Sequence, residues 1–318
     1  MRMRRRAARQ CRYQVERCRS ALYRLFSVMV AQASRARLGR RFPFLRHGYY
    51  GLAALLRPGV TRVGTWTVYF HRGDIAISHA LRAESTYEPF ELELIARLLR
   101  SGDCAVDVGA NIGLHTLAMS AACGPTGRVL AFEPDPGNLR LCRRNLEVNE
   151  CKNVELLPVA VSDQPGTLRL FLNSDNRGDH RVYDPGDGRG SLDVAAVPLA
   201  EVLADRQLTP RLLKIDVQGW EPKVLRGALP GLRGPQPLVL MTEFWTAGLV
   251  AAGSSAREYL ELIDELQLDL YEIDAWRGWV APITPDRSTL LKAERNTNLL
   301  GLRGVSLGSF TDELLLAD

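Results

Sequence analysis

The chain has 318 residues, 46% of them hydrophobic, and a formal net charge of +5. That length suits one large domain with an appendage better than two equal domains, and no apolar run approaches the roughly 18 residues that a membrane-spanning helix needs. The charge is uneven: residues 1–60 hold fifteen Arg against one acidic residue, Glu16, so +14 of the charge sits there and the rest of the chain carries −9. The six cysteines (11, 18, 104, 123, 142 and 151) form no C-x-x-C pair, the pattern of reduced thiols in a cytoplasmic protein. A signal peptide fits poorly, because Arg24 interrupts the apolar stretch from 21 to 30, although Ala31-Gln32-Ala33 has the form of a cleavage site.

Residues 1–58 read as a basic arm. Apolar residues at 22, 25, 26, 29 and 33 share one face of a helix flanked by Arg, which suits packing on a neighbouring surface or attachment to an anionic membrane. Residues 59–84 read as a small β cap, with strands at 65–70 and 75–78 around the turn His71-Arg72-Gly73-Asp74. The segment 88–99 reads as a helix, with Pro89 in its first turn and Leu92, Ile95, Ala96 and Leu99 on one face.

The apolar run 105–108 then reads as a buried strand, the small residues 109, 110 and 113 as a tight turn, and Leu114, Leu117, Ala118 and Ala121 as one face of a helix. Glycines suit a place where backbone must approach a ligand closely, and the helix start offers N–H groups to it. The dinucleotide fingerprint G-x-G-x-x-G is absent, since Asn111 stands where its second glycine would be. An acidic residue two before the turn, Asp107, suits an amine better than a phosphate. The local chemistry therefore points to S-adenosylmethionine first and a nicotinamide cofactor second.

Beyond the turn the pattern alternates: strands at 128–132, 154–159 and 168–172, a polar loop at 173–191, a helix at 199–206, a strand at 212–217, a helix at 220–226, a strand at 238–242, a helix at 255–267, and strands at 268–273 and 298–302. A loop of about twenty residues inside a compact domain is functional or disordered.

Four motifs stand in register along this region: D-V-G-A-N-I-G at 107–113, F-E-P at 132–134, A-V-S-D at 160–163 and K-I-D-V-Q-G-W-E at 214–221. Together they resemble the FkbM-type methyltransferases, which use S-adenosylmethionine mostly to methylate hydroxyl oxygens of sugars and natural products. The resemblance covers about residues 85–302. It implies a Rossmann-like α/β class I methyltransferase domain, residues 85–310, with helices on both faces of a seven-stranded, mostly parallel sheet. It also implies roles. Asp107, Gly109, Ala110, Asn111 and Gly113 would surround the methionine part of the cofactor; Glu133 would accept from the ribose hydroxyls, as an acceptor-only carboxylate can; Ser162 and Asp163 would border the adenine. Asp216 would stand where methyl and acceptor meet, with Glu243 at the next strand end and His180 in the long loop as reserve bases. No metal ligands are implied, and Gln218 stands where the family usually has Glu, which weakens a metal site on the 216/218 pair. His115 reads as packed or capping.

The implied function is O-methylation of a hydroxyl on a sugar, glycoconjugate or natural product. Its rivals are a nucleic-acid or protein methyltransferase, a nicotinamide oxidoreductase, and a non-catalytic cofactor-binding module. The missing dinucleotide fingerprint argues against the oxidoreductase. Asp216-Val217-Gln218-Gly219, in place of the Asp/Asn-Pro-Pro-aromatic of amino-directed DNA enzymes, and the lack of aromatic residues in the basic cluster before Tyr13 argue against nucleic acid. Deleting residues 1–40 is expected to leave cofactor affinity intact and to abolish any salt-sensitive sedimentation with anionic vesicles. Equal, salt-independent sedimentation of both forms would leave only the packing role for the arm.

Overall fold

The computed structural model describes residues 22, 23, 25, 58–283, 287–291 and 294–307. Leu22, Tyr23 and Leu25 are helical, with both leucines exposed; the rest of the basic arm, with Cys11, Cys18 and the 31–33 sequence, lies outside the described residues. Two compact units divide at 87/88. No helix among the described residues is long and apolar enough to cross a membrane.

In the first unit β1 (Val60–Val63) and β2 (Trp66–Tyr69) form an antiparallel hairpin, followed by α1 (Ile77–Ala83). The expected strand at 75–78 is therefore replaced by helix. The cause is local: Asp74 Oδ1 accepts the backbone N–H groups of Ala76 and Ser78, the side-chain capping that starts a helix. The hairpin turns at Gly64-Thr65, one strand earlier than expected.

The second unit carries α2 (Pro89–Leu98), β3 (Cys104–Val108), α3 (Leu114–Cys123), β4 (Arg128–Phe132), α4 (Pro136–Val148), β5 (Val154–Leu157), β6 (Ala160–Ser162), β7 (Gly166–Phe171) and β8 (Ser191–Pro198). It continues with α5 (Leu199–Arg206), β9 (Leu212–Ile215), α6 (Glu221–Leu232), β10 (Leu238–Trp245), α7 (Thr246–Ala251), α8 (Ala256–Asp264), β11 (Asp269–Asp274), β12 (Trp279–Pro282) and β13 (Asn296–Arg303). The main sheet has eight strands in the order β12-β11-β13-β10-β9-β3-β4-β5. Strands β5, β4, β3, β9 and β10 are parallel; β13 runs antiparallel between β10 and β11. The sheet therefore has eight strands where seven were expected: six run parallel and β13 antiparallel, and β12 adds at the edge through an antiparallel pairing the sequence pattern did not reveal. A separate three-stranded sheet, β6-β8-β7, lies off the main one, and β8 occupies a segment for which no strand was expected.

Alternation along the strands sorts the two faces. Val106, Val108, Leu130, Phe132, Leu213, Ile215 and Leu240 join the large core with α5, α6 and α8. The opposite face, one residue out of phase, carries Asp107 and its cross-strand partner Lys214. Strand order reverses between β3 and β9, since the chain moves outward one way through β4 and β5 and the other way through β10. In open α/β sheets a ligand crevice forms at the carboxyl ends of the strands at such a reversal.

Gly109 and Asp216 meet there. Gly109 has φ +87, and a Cβ on it would lie 1.9 Å from the Asp216 carbonyl oxygen; Asp216 N–H donates to Val108 O at 3.0 Å. Gly109→Ala is expected to destabilise by at least about 2 kcal/mol in urea unfolding, from left-handed strain and overpacking together. Gly186→Ala, also at positive φ but with open space around it, is expected to cost about 1 kcal/mol. Equal losses would show that the close approach of the two strands carries no weight.

Candidate active site

The turn after β3 satisfies itself. Gly109 and Ala110 N–H both donate to Phe132 O, Gly113 N–H donates to Ala110 O, Asn111 N–H donates to Glu133 Oε2 at 2.7 Å, and Ile112 N–H donates to Asn111 Oδ1 at 2.7 Å. The five N–H groups of 109–113 all have acceptors within the chain. No phosphate cradle of the kind such a turn can form is left here. Asn111 itself is left-handed, φ +50, a conformation Asn tolerates better than most side chains. Gly113, φ +88, leaves no room for a Cβ against Cys142 Sγ.

Asp107 is fully buried. Its Oδ2 accepts from Thr116 Oγ1 at 2.6 Å, and Oδ1 has no hydrogen-bond partner. Burial raises its pKa, opposed by Lys214 and Thr116. In this structure the carboxylate lies enclosed between α3 and β9, so it supports the turn rather than presenting an open acceptor. Glu133, at the end of β4, accepts from Asn111 N–H and, through Oε1, from Asp135 N–H at 2.8 Å. Burial pushes its carboxyl up to about 8, against those two hydrogen bonds.

Ser162 and Asp163 are drawn toward α6. Trp220 Nε1 donates to Ser162 Oγ at 3.3 Å, and Lys223 Nζ donates to Asp163 Oδ2 at 3.0 Å. Although burial raises the Asp163 carboxyl, Lys223 outweighs it and holds the group below the usual range. His180 sits at the start of α4: its Nδ1 accepts from Asn173 N–H at 3.0 Å, and Nε2 stands 3.8 Å from Asp135 Oδ1. It is not brought to Asp216.

The loop holding His180 is ordered by its own polar groups. Asn173 Oδ1 accepts from the N–H groups of Asp175 and Asn176, and Asp179 pairs with Arg181 and Arg189. The carbonyl of Arg177 accepts from the side-chain amides of Asn111 and Asn138 at 3.1 and 3.0 Å. Arg181 stacks on the Trp245 ring, 4.7 Å from its centroid. The loop thus reaches from the turn after β3 to the end of β10.

Asp216 and Glu243 are brought together. Gln218 Nε2 donates to Asp216 Oδ1 at 3.0 Å and to Glu243 Oε2 at 2.9 Å. A Glu at 218 would add a third carboxyl; the amide supplies the donor two acids need. Lys214 Nζ donates to Asp216 Oδ2 at 3.2 Å. Burial opposes the charge of Lys214, but Asp216, Asp107, Glu88 and Glu91 outweigh it and raise the ammonium above its ordinary range. Glu221, fully buried, accepts the N–H groups of Val217 and Gly219 and fixes the turn after Asp216. Lys214, Asp216 and Glu243 line a small cleft together with Glu91, Met241 and Asn298, among others. Lys214, Gln218, Glu91 and Asn298 were assigned no role from sequence; a lysine inside an apolar strand beside an aspartate on the next one was the available signal.

Against known proteins, the family model of the FkbM methyltransferase domain matches residues 107–273, more than half of the chain. The chain belongs to the FkbM methyltransferase family. Methyltransferase sdnD of Sordaria araneosa is 31% identical over 41% of this chain, and the chain spans 61% of that relative's length. Hexuronic acid methyltransferase AglP of Haloferax volcanii is 24% identical over 56% of this chain and 68% of its own. Among solved structures, a SAM-dependent methyltransferase from Aquifex aeolicus is similar over 70% of this chain and 95% of its own, at 13% identity and a TM-score of 0.39.

Burial first, then the charges of Asp216 and Glu221, push the Glu243 carboxyl up to about 9 from 4.5. Between those pH values the folded FkbM chain holds a proton that the unfolded chain releases, so stability is greatest toward acid and falls as pH rises. The melting temperature is expected to drop between pH 5 and pH 9, and to drop less in Glu243→Gln. Parallel pH profiles for the two proteins would contradict the buried, protonated state of Glu243.

Proposed function

We propose that this chain transfers a methyl group from S-adenosylmethionine to a hydroxyl oxygen of a small sugar-bearing or natural-product acceptor. The observation that carries the reading is the Lys214-Asp216-Gln218-Glu243 constellation at the carboxyl ends of β9 and β10, beside the reversal of strand order. The residues fit the cofactor. The turn at 109–113 keeps its N–H groups for itself, as suits a ligand without phosphate there, and the surrounding carboxylates suit a cation. S-adenosylmethionine supplies an electrophilic methyl on a sulfonium.

The chain's own groups divide the remaining work. Asp216 is the candidate base: it stands at the cleft, partly exposed, with Lys214 and Gln218 fixing its orientation. Glu243, carrying its proton at neutral pH, is a hydrogen-bond donor rather than a base. His180 is removed from this group by its seat beside Asp135. Glu133, its carboxyl raised by burial, is the candidate partner of the ribose hydroxyls. The name of the Haloferax relative supports a sugar-acid acceptor class. Within such an acceptor a hydroxyl suits this cleft better than a carboxylate, because Glu91, Asp216 and Glu243 line it. The basic arm is assigned to packing or to an anionic membrane surface, with the protein otherwise cytoplasmic.

A positioned base contributes about 10²–10⁴-fold. Asp216→Asn is therefore expected to lower kcat at least about a hundredfold while cofactor affinity changes less than about tenfold. Near-normal kcat in Asp216→Asn, with loss in His180→Ala, would move the base to the loop. Glu133→Ala is expected to weaken cofactor binding about ten- to a hundredfold by calorimetry, and unchanged affinity would remove its ribose role.

A further inference from the structure

On the same side of the sheet as Lys214, three residues from two helices converge. Glu88, the residue before α2, and Glu91 in its first turn are three apart and so lie on one face. His115, the second residue of α3, faces them. Its Nε2 is 3.3 Å from Glu88 Oε2 and 3.7 Å from Glu91 Oε2, and one ligand atom from each residue lies within 4.8 Å of the others.

The histidine distinguishes this group from an ordinary acidic cluster. His115 is 8% exposed, and its Nε2, buried and aimed between the two carboxylates, has no hydrogen-bond partner. A buried polar atom without a partner is costly. Two ligand atoms each about 2.0–2.1 Å from a zinc-like ion, at the tetrahedral angle, are about 3.3 Å apart. The observed separations therefore match those of donors sharing an ion. Around the group four carboxylates, Asp107, Asp216, Glu88 and Glu91, surround a single buried ammonium, Lys214.

We propose that Glu88, Glu91 and His115 form a binding site for a divalent metal ion, held by two carboxylates and one imidazole nitrogen. This donor set suits Mn²⁺, Fe²⁺ or Zn²⁺ better than Mg²⁺ or Ca²⁺, which prefer oxygen throughout. Glu91 also lines the cleft that holds Asp216, so an ion here would stand at one wall of the candidate acceptor site.

Mn²⁺ is the suitable probe, since it avoids the thiols of Cys104, Cys123, Cys142 and Cys151. Titration of the full chain, followed by electron paramagnetic resonance, is expected to show one bound Mn²⁺ with nitrogen coupling in the pulsed spectrum. His115→Gln should remove the coupling and weaken binding at least tenfold; Glu88→Gln should weaken it similarly while keeping the coupling. Glu88 is only half-buried, so its amide variant leaves the circular dichroism spectrum and melting curve as readouts of an intact fold. No binding below millimolar Mn²⁺ would overturn the site. So would binding without nitrogen coupling, binding unchanged in a folded Glu88→Gln, or binding lost in Asp216→Asn but not in His115→Gln.

Discussion

One buried ammonium organises the centre of this protein. Lys214 sits inside a parallel strand, 4% exposed, with Asp107 beside it on β3 and Asp216 two residues on, just past the end of its own strand. An isolated charge at that depth would be neutralised or expelled; carboxylates close enough to outweigh its desolvation keep it ionised. Because those carboxylates come from β3, β9 and the start of α2, the ammonium ties the strands at the reversal point to the helix that covers them. The contact of Gly109 with the Asp216 carbonyl oxygen brings the same two strand ends together through the backbone. The Asp216 end of the cleft is thus fixed by one electrostatic and one steric constraint acting on the same pair of strands.

The carboxyls around this centre are not equivalent. Asp216 stands at the cleft with two donors on it, Glu243 is held protonated by burial, and Asp107 is sealed behind the turn with one oxygen unpaired. Similar groups separated by environment are how a site obtains an acceptor and a donor from one residue type. Gln218 makes the separation possible, since its amide bridges Asp216 and Glu243 without adding charge.

Much of this was legible in sequence where the determinants are local. The apolar run before Gly109, the tight turn of small residues and the helix after it depend on neighbours a few residues away, and the strands and helices around them follow the expected pattern. The second strand of the small hairpin unit was misplaced because Asp74 caps a helix, a hydrogen-bond choice that hydrophobic alternation does not encode. Strand β8 escaped although its residues alternate, because it follows directly on the polar loop, and β12 because it is only four residues long. The site was legible as a set of strand ends, so Asp216 and Glu243 fell together. His180 did not, because loop geometry is set by Asp179, Arg181 and Arg189 acting over distances that spacing does not report. Glu88, Glu91 and His115 were invisible as a group, since the packing of α2 on α3, not sequence proximity, brings them together.

The central claim is that the cofactor lies across the carboxyl ends of β3, β4 and β9 with its reacting end at Asp216. A crystal structure of the chain with S-adenosylhomocysteine tests it most directly. Ribose hydroxyls on Glu133 and the sulfur on the Asp216 side of Gly109 are expected. A nucleoside bound away from Glu133, or a sulfur directed away from Asp216, would contradict it.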